Sequence, residues 1–199
     1  MKKHCVSSRR EKISTSRFDP FNHRLSRDIR NSLAEAFVDA LQAADKSCYQ
    51  KTADQWLARN LADAYAGYIQ DRLKRYDDVL EQIKVNSIND AKRQVLVSWN
   101  RGLFFEVHEQ LERIWFKTSG DEYQAIKGLI QAAGVYIHLE YDRRPAAEKL
   151  AAKSSDRIQK YADCLAFIAN LNMLLEKLKN LDSAPPQLKP IITHCEDSK

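Results

Sequence analysis

The residues best placed for chemistry fall in one short stretch, Trp99 to Trp115, reading WNRGLFFEVHEQLERIW. It combines many aromatic rings with Glu106, His108, Glu109 and Glu112. On a helix, His108 and Glu112 are one turn apart and share a face. An imidazole and a carboxylate so placed reach the same point beside the helix and can hold one metal ion. The same pair can be a hydrogen-bonded structural unit, and three glutamates can equally be a solvated face. The spacing is not the zinc-protease H-E-x-x-H, because Glu112 stands where the second His belongs. The sequence also lacks the Glu-x-x-His that di-iron bundles carry in two copies on separate helices. A functional metal site needs three or four ligands, so the structural reading is preferred. At 100° per residue, Phe104, Val107, Leu111, Ile114 and Trp115 make the apolar side. His108 and Glu112 sit on its shoulder, and Glu106 points furthest from it.

A second informative stretch runs from about Glu122 to Glu140. Ile126, Leu129, Ile130, Ala133 and Ile137 form its apolar side. The other side carries Gly128, Gln131, Gly134 and His138. Each glycine costs about 1 kcal/mol against alanine inside a helix, which makes sense where another backbone comes close. The expectation is that this face packs on the His108/Glu112 shoulder. Gln131 and His138 would then join His108, Glu109 and Glu112, beside Trp115, in one polar cluster that fixes helix register. If the cluster is instead a metal site, His108 and Glu112 are the ligands and His138 the third.

Asn100, Gly102, Phe104-Phe105-Glu106, His108-Glu109, Glu112 and Trp115, followed by Gly128-Leu129-Ile130-Gln131, Ala133 and His138, resemble the family called domain of unknown function 309. The likeness runs from about Asp90 to Ala152. It implies a compact all-α fold and carries no assigned activity or catalytic residue. His108, Glu109, Glu112, Trp115 and Gln131 stand at its signature positions.

The elements that must position these residues are helical. Five Gly and five Pro in 199 residues are few breakers, and 44% apolar residues suffice for a core. The expected fold class is all-α, a compact bundle or array of about six to seven helices. Residues 1–17 read as a disordered basic tail. Residues 18–85 read as a helical hairpin packing on the core, 86–182 as the core domain, and 183–199 as a loose tail. Phe18 and Phe21 flank an Asp-Pro turn and should plug onto a helix surface. Ser26 is the expected cap of a first helix running to about Ala44. Thr52-x-x-Gln55 is a capping-box pattern, expected to open a longer helix through Tyr76. Asp90 and Ser119-x-x-Glu122 mark further starts, and Asn100-Arg101-Gly102 is a turn. After Pro145, helices are expected over Ala146–Lys160 and Ala162–Leu181.

The net charge is +5, and residues 1–30 hold nine Lys or Arg against three acids. A basic tail on a neutral body suits nonspecific nucleic-acid contact, though a solubilising tail is the preferred reading. The four scattered cysteines form no C-x-x-C pair, and no export signal or membrane span is evident. Reduced thiols and a cytoplasmic location are expected. No phosphate loop, nucleophile elbow or dinucleotide fingerprint occurs. The leading expectation is a binding module with a structural polar cluster, an unidentified protein partner or second copy, and no cofactor. The alternatives are a metal-dependent hydrolase, with His108 and Glu112 binding a divalent transition metal and Glu109 as general base, and a nucleic-acid-associated protein.

Overall fold

The computed structural model describes residues 17–191. Among these there are eight α-helices, one 3-10 turn and no strand, with a single isolated bridge between Ile168 and Pro190. The class is as expected, and the helix count exceeds the expected six to seven. No helix among the described residues is long and apolar enough to cross a membrane. The basic segment 1–16 lies outside the described residues.

The first helix, α1, spans Arg24–Ala43 and buries Ile29, Leu33 and Phe37 at four-residue spacing. It begins two residues before the expected Ser26 cap. Ser26 is buried in its first turn, and its Oγ accepts the Asp19 N–H at 3.2 Å. Ser26 therefore ties down the Phe18–Asn22 segment, whose turn is closed by Asp19 Oδ1 accepting from the N–H of Phe21. Phe18 stacks on Tyr68 at 3.7 Å, and Phe21 stacks on His138 at 5.0 Å. Both rings plug onto helices, as their pattern predicts.

The expected long helix from Thr52 is two helices. α2 covers Ser47–Leu57 and α3 covers Asp63–Val85. Asp45 starts α2 by accepting the Ser47 N–H at 2.8 Å. Thr52 is interior to α2, where its hydroxyl donates to the Cys48 carbonyl; back-bonding to the preceding turn satisfies it without a cap. Asn60, at φ 52°, turns the chain into the left-handed region and breaks the apolar stripe between α2 and α3.

α4 spans Ala91–Asn100, and the Asp90 carboxylate accepts from the N–H groups of Lys92 and Arg93, as expected. Gly102, at φ 68°, makes the turn into α5, Phe104–Trp115. α6 spans Gly120–Glu140 and α7 spans Arg144–Lys160. The Ser119 side chain makes no cap bond, and Glu122 pairs with Lys92 on α4 instead. The expected helix over 162–181 is interrupted: Ala162–Leu165 is a 3-10 turn, and α8 covers only Leu171–Lys179.

The segment before Ile191, expected to be loose, packs across that interruption. Its Lys189 carbonyl accepts the Ala169 N–H, and the Phe167 carbonyl accepts the Ile191 N–H. Asn100 holds Leu188 at both backbone groups, 2.7 Å to N and 2.9 Å to O, and Trp99 Nε1 donates to the Pro186 carbonyl at 2.9 Å. Leu188 is buried. Residues 192–199 lie outside the described residues.

Buried apolar side chains gather in two clusters. One joins α1, α2 and α3 with Phe18 and Leu103. The other runs from Val95 on α4 through α5, α6 and α7 to Leu188. Helix α5 lies where the two meet.

Candidate functional site

Helix α5 presents two different polar faces. The inner one holds Glu106, which is fully buried. The expectation that it points away from the core is corrected: the side opposite α5's own apolar stripe is covered by α1 and by the Arg72 and Tyr76 side chains of α3. Tyr76 of α3 donates its hydroxyl to Glu106 Oε1 at 2.6 Å. Arg72 of α3, only 4% exposed, brings its Nε to 3.7 Å from the same oxygen and Nη2 to 3.6 Å from Glu140 of α6. Its guanidinium lies over the Tyr68 ring at 4.8 Å. Tyr76 in turn stacks on Phe37 of α1 at 4.2 Å. One carboxylate thus links α1, α3, α5 and α6.

The electrostatics follow from burial. Burial works to discharge the Arg72 guanidinium, but Glu106 together with Tyr68, Tyr76 and Glu140 outweighs it and holds the group well above its ordinary range. Burial first, then Glu106, pushes the Tyr76 phenol up. Burial pushes Tyr68 up to about 12. Glu140 is also raised, by burial, against the pull of Arg72. Glu106 Oε2 and Arg72 Nε and Nη1 are buried and make no hydrogen bond among the described residues.

The outer face of α5 holds His108, Glu109 and Glu112. All three are half-buried, and their ligand atoms lie within 4.8 Å of one another. His108 Nδ1 is 3.5 Å from Glu109 and Nε2 is 3.9 Å from Glu112; neither contact is a hydrogen bond. The imidazole lies parallel to the Phe105 ring. Further along, Trp115 packs on Tyr123 of α6 at 4.5 Å, and Lys127 approaches both rings. Phe116 beside them is 77% exposed.

Gln131 and His138 do not join this group. Gln131 Oε1 accepts from Arg157 of α7 at 3.0 Å. A Cβ on Gly128 would meet the Arg157 and Ile158 side chains at 3.1 Å and the Ile158 backbone N at 3.3 Å; one on Gly134 would meet Leu150 at 3.1 Å. The close approach read from the glycines is real, but its partner is α7, not α5. Ser154 of α7 completes it by donating to the Gly128 carbonyl at 2.8 Å. His138 stacks on Phe21, whose other neighbours are Tyr141 and Arg143. Burial, then Arg143, lowers the His138 pKa. Among the described residues, the only trio able to converge on an ion is His108, Glu109 and Glu112.

Sequence reasoning missed Arg72. Its signal was periodic: Tyr65, Ile69, Arg72, Tyr76 and Val79 are the buried positions of α3. A charged residue at helical spacing inside an aromatic stripe requires a buried counter-ion, and Glu106 is that ion.

These features define a helical protein whose central helix is polar on both flanks. Residues 93–150 match the family model described as Domain of unknown function (DUF309). The match takes in most of α4, all of α5 and α6 and the first turns of α7. It therefore contains Glu106, His108, Glu109, Glu112, Trp115, Gln131 and His138, and leaves out Arg72 and Tyr76. No curated protein and no solved structure matches the chain.

Proposed function

We propose that this protein is a helical binding module whose contact edge is the outer face of α5, from His108 and Glu109 through Glu112 to Trp115 and Phe116. The observation that carries this is the division of one helix. Its inner carboxylate is held through Oε1 by Arg72 and Tyr76, while its outer edge offers charge, a half-buried indole ring and a phenyl ring 77% exposed. Aromatic residues flanked by charge are typical contact anchors. The partner is a protein or a second copy of this chain. Sedimentation of the purified protein over a wide concentration range, with cross-linking in native extract, tests it. Self-association or one recurring cross-linked partner, lost in Phe116→Asp with melting unchanged, is the expected result. A monomer whose cross-links are the same in Phe116→Asp overturns it.

A second reading draws on the convergence of His108, Glu109 and Glu112. Three such ligands suit a divalent transition metal with positions left open to water. Elemental analysis of untagged protein separates the readings. Near-stoichiometric metal that His108→Ala removes, with melting lowered by chelator, favours the metal site. Of the nine cations behind the nucleic-acid reading, Lys2, Lys3, Arg9, Arg10 and Lys12 lie outside the described residues; of the others, Arg17 bonds Asp142 and the Glu140 carbonyl, and Arg30 lies on the Phe105 ring at 3.8 Å.

A further inference from the structure

On the flank of α5 nearest α1 lies a cavity of about 410 Å³. α1 contributes Val38 and Leu41, α4 contributes Ala91 and Lys92, and α5 contributes Gln110, Ile114 and Arg113, with Lys117 just beyond its end. Its volume is that of a small-molecule site, and it lies where the two buried clusters meet, a common position for such sites.

The polar lining narrows the ligand. Of its four neutral donor side chains, three are already engaged and Gln42 is left. Gln94 Nε2 donates to the Ile88 carbonyl, Gln110 Nε2 to Ser98 Oγ, and Thr118 to the Trp115 carbonyl. Its two acids are also engaged: Asp90 caps α4, and Glu122 accepts from Lys92 at 2.6 Å. Arg113 spends Nη2 on Asp39 at 2.7 Å and keeps the rest of its fork. Lys117 is exposed and makes no hydrogen bond or ion pair among the described residues. With Lys92 on Glu122, Arg113 on Asp39 and Asp90 capping α4, Lys117 is the one lining cation without an acidic partner among the described residues, and the donors still free are its ammonium, the rest of the Arg113 fork and the Gln42 amide. That balance suits a monoanion better than a phosphate dianion. Val38, Leu41 and Ile114 supply an apolar wall for the rest of the molecule.

We propose that this cavity binds a small amphipathic monocarboxylate, its apolar body against Val38, Leu41 and Ile114 and its carboxylate at Lys117 and Arg113. The site is separate from the contact edge of α5, and it stands or falls independently of that reading.

The probes are octanoate and its uncharged isostere octanamide, titrated into the full chain by calorimetry and by amide NMR shifts. The expected result is saturable one-to-one binding of octanoate with shifts on α1, α4 and α5, and weaker binding of octanamide. Lys117→Gln should weaken octanoate about fivefold, the scale of one partly exposed ion pair, and leave octanamide unchanged. Ala91→Trp, at an exposed lining position, should abolish both while the melting temperature holds. Should it not fold, Gln42→Trp blocks the same mouth. No saturable octanoate binding in the unaltered protein, or binding indifferent to both Lys117→Gln and the blocking variant, overturns the proposal.

Discussion

Glu106 and Glu109 are one turn apart on the same helix and have opposite fates. Glu106 has no exposed surface, accepts a 2.6 Å hydrogen bond and faces a buried guanidinium. Glu109 is half-buried, beside a histidine at 3.5 Å. The difference lies in what covers each face. α1 and the long side chains of α3 seal the inner side, and nothing among the described residues seals the outer one. A glutamate is a lock where a second helix brings its counter-ion, and a ligand or contact residue where none does.

The largest test of that contrast is on the inner face. Arg72→Met strands a buried carboxylate and should cost about 3–5 kcal/mol in urea unfolding. Replacing both charges, Arg72→Met with Glu106→Leu, should recover most of the loss, because an apolar pair needs no desolvation. If the single variant unfolds within 1 kcal/mol of the unaltered protein, by the same scale, the inner face is not a lock. Next comes Tyr76→Phe, which removes one hydrogen bond to a charged acceptor and should cost about 1.5–3 kcal/mol.

His138 gives an intermediate case, packed between Phe21 and Arg143. Its folded pKa lies below the ordinary 6.5, from burial and then Arg143. Below about 6.5 the unfolded chain takes up a proton that the folded one resists, so stability should fall as pH drops and recover as it rises. The effect of this half-buried group should stay under about 1 kcal/mol, and His138→Gln should flatten that part of the stability-pH curve. The smallest expected effect is on the outer face. His108→Ala removes contacts at 3.5 and 3.9 Å between partly exposed groups, so its melting should change by about 0.5 kcal/mol or less. A loss several times larger would erase the contrast.

The all-helical class was legible because helical periods survive packing: Ile29, Leu33 and Phe37 are buried on the spacing that announced them. Asp90 was legible as a cap because capping is local. What failed was non-local or degenerate. Thr52 carries a capping-box pattern but satisfies its hydroxyl within the helix. Gly128 and Gly134 reported a close approach without saying which helix made it. Glu106 was misplaced because a helical wheel describes one helix, and the surface that buries it belongs to α1 and α3. Within the candidate cluster, the near neighbours on α5 were legible from spacing alone. Gln131 and His138 were not, since α6 divides its polar side between α7 and Phe21.

The clasp at Trp99 and Asn100 has a consequence for the order of assembly. Its partners, Pro186 and Leu188, lie 87 and 88 residues further along the chain. Contacts at such separation must wait for loop closure and slow the search for the native topology. During synthesis, α4 to α6 emerge with the indole N–H of Trp99 and the amide of Asn100 still unmet. The segment that the family model matches therefore reaches its final packing only after residues 186–188 have left the ribosome. A pulse-labelling experiment should find Trp99 among the last side chains to become protected.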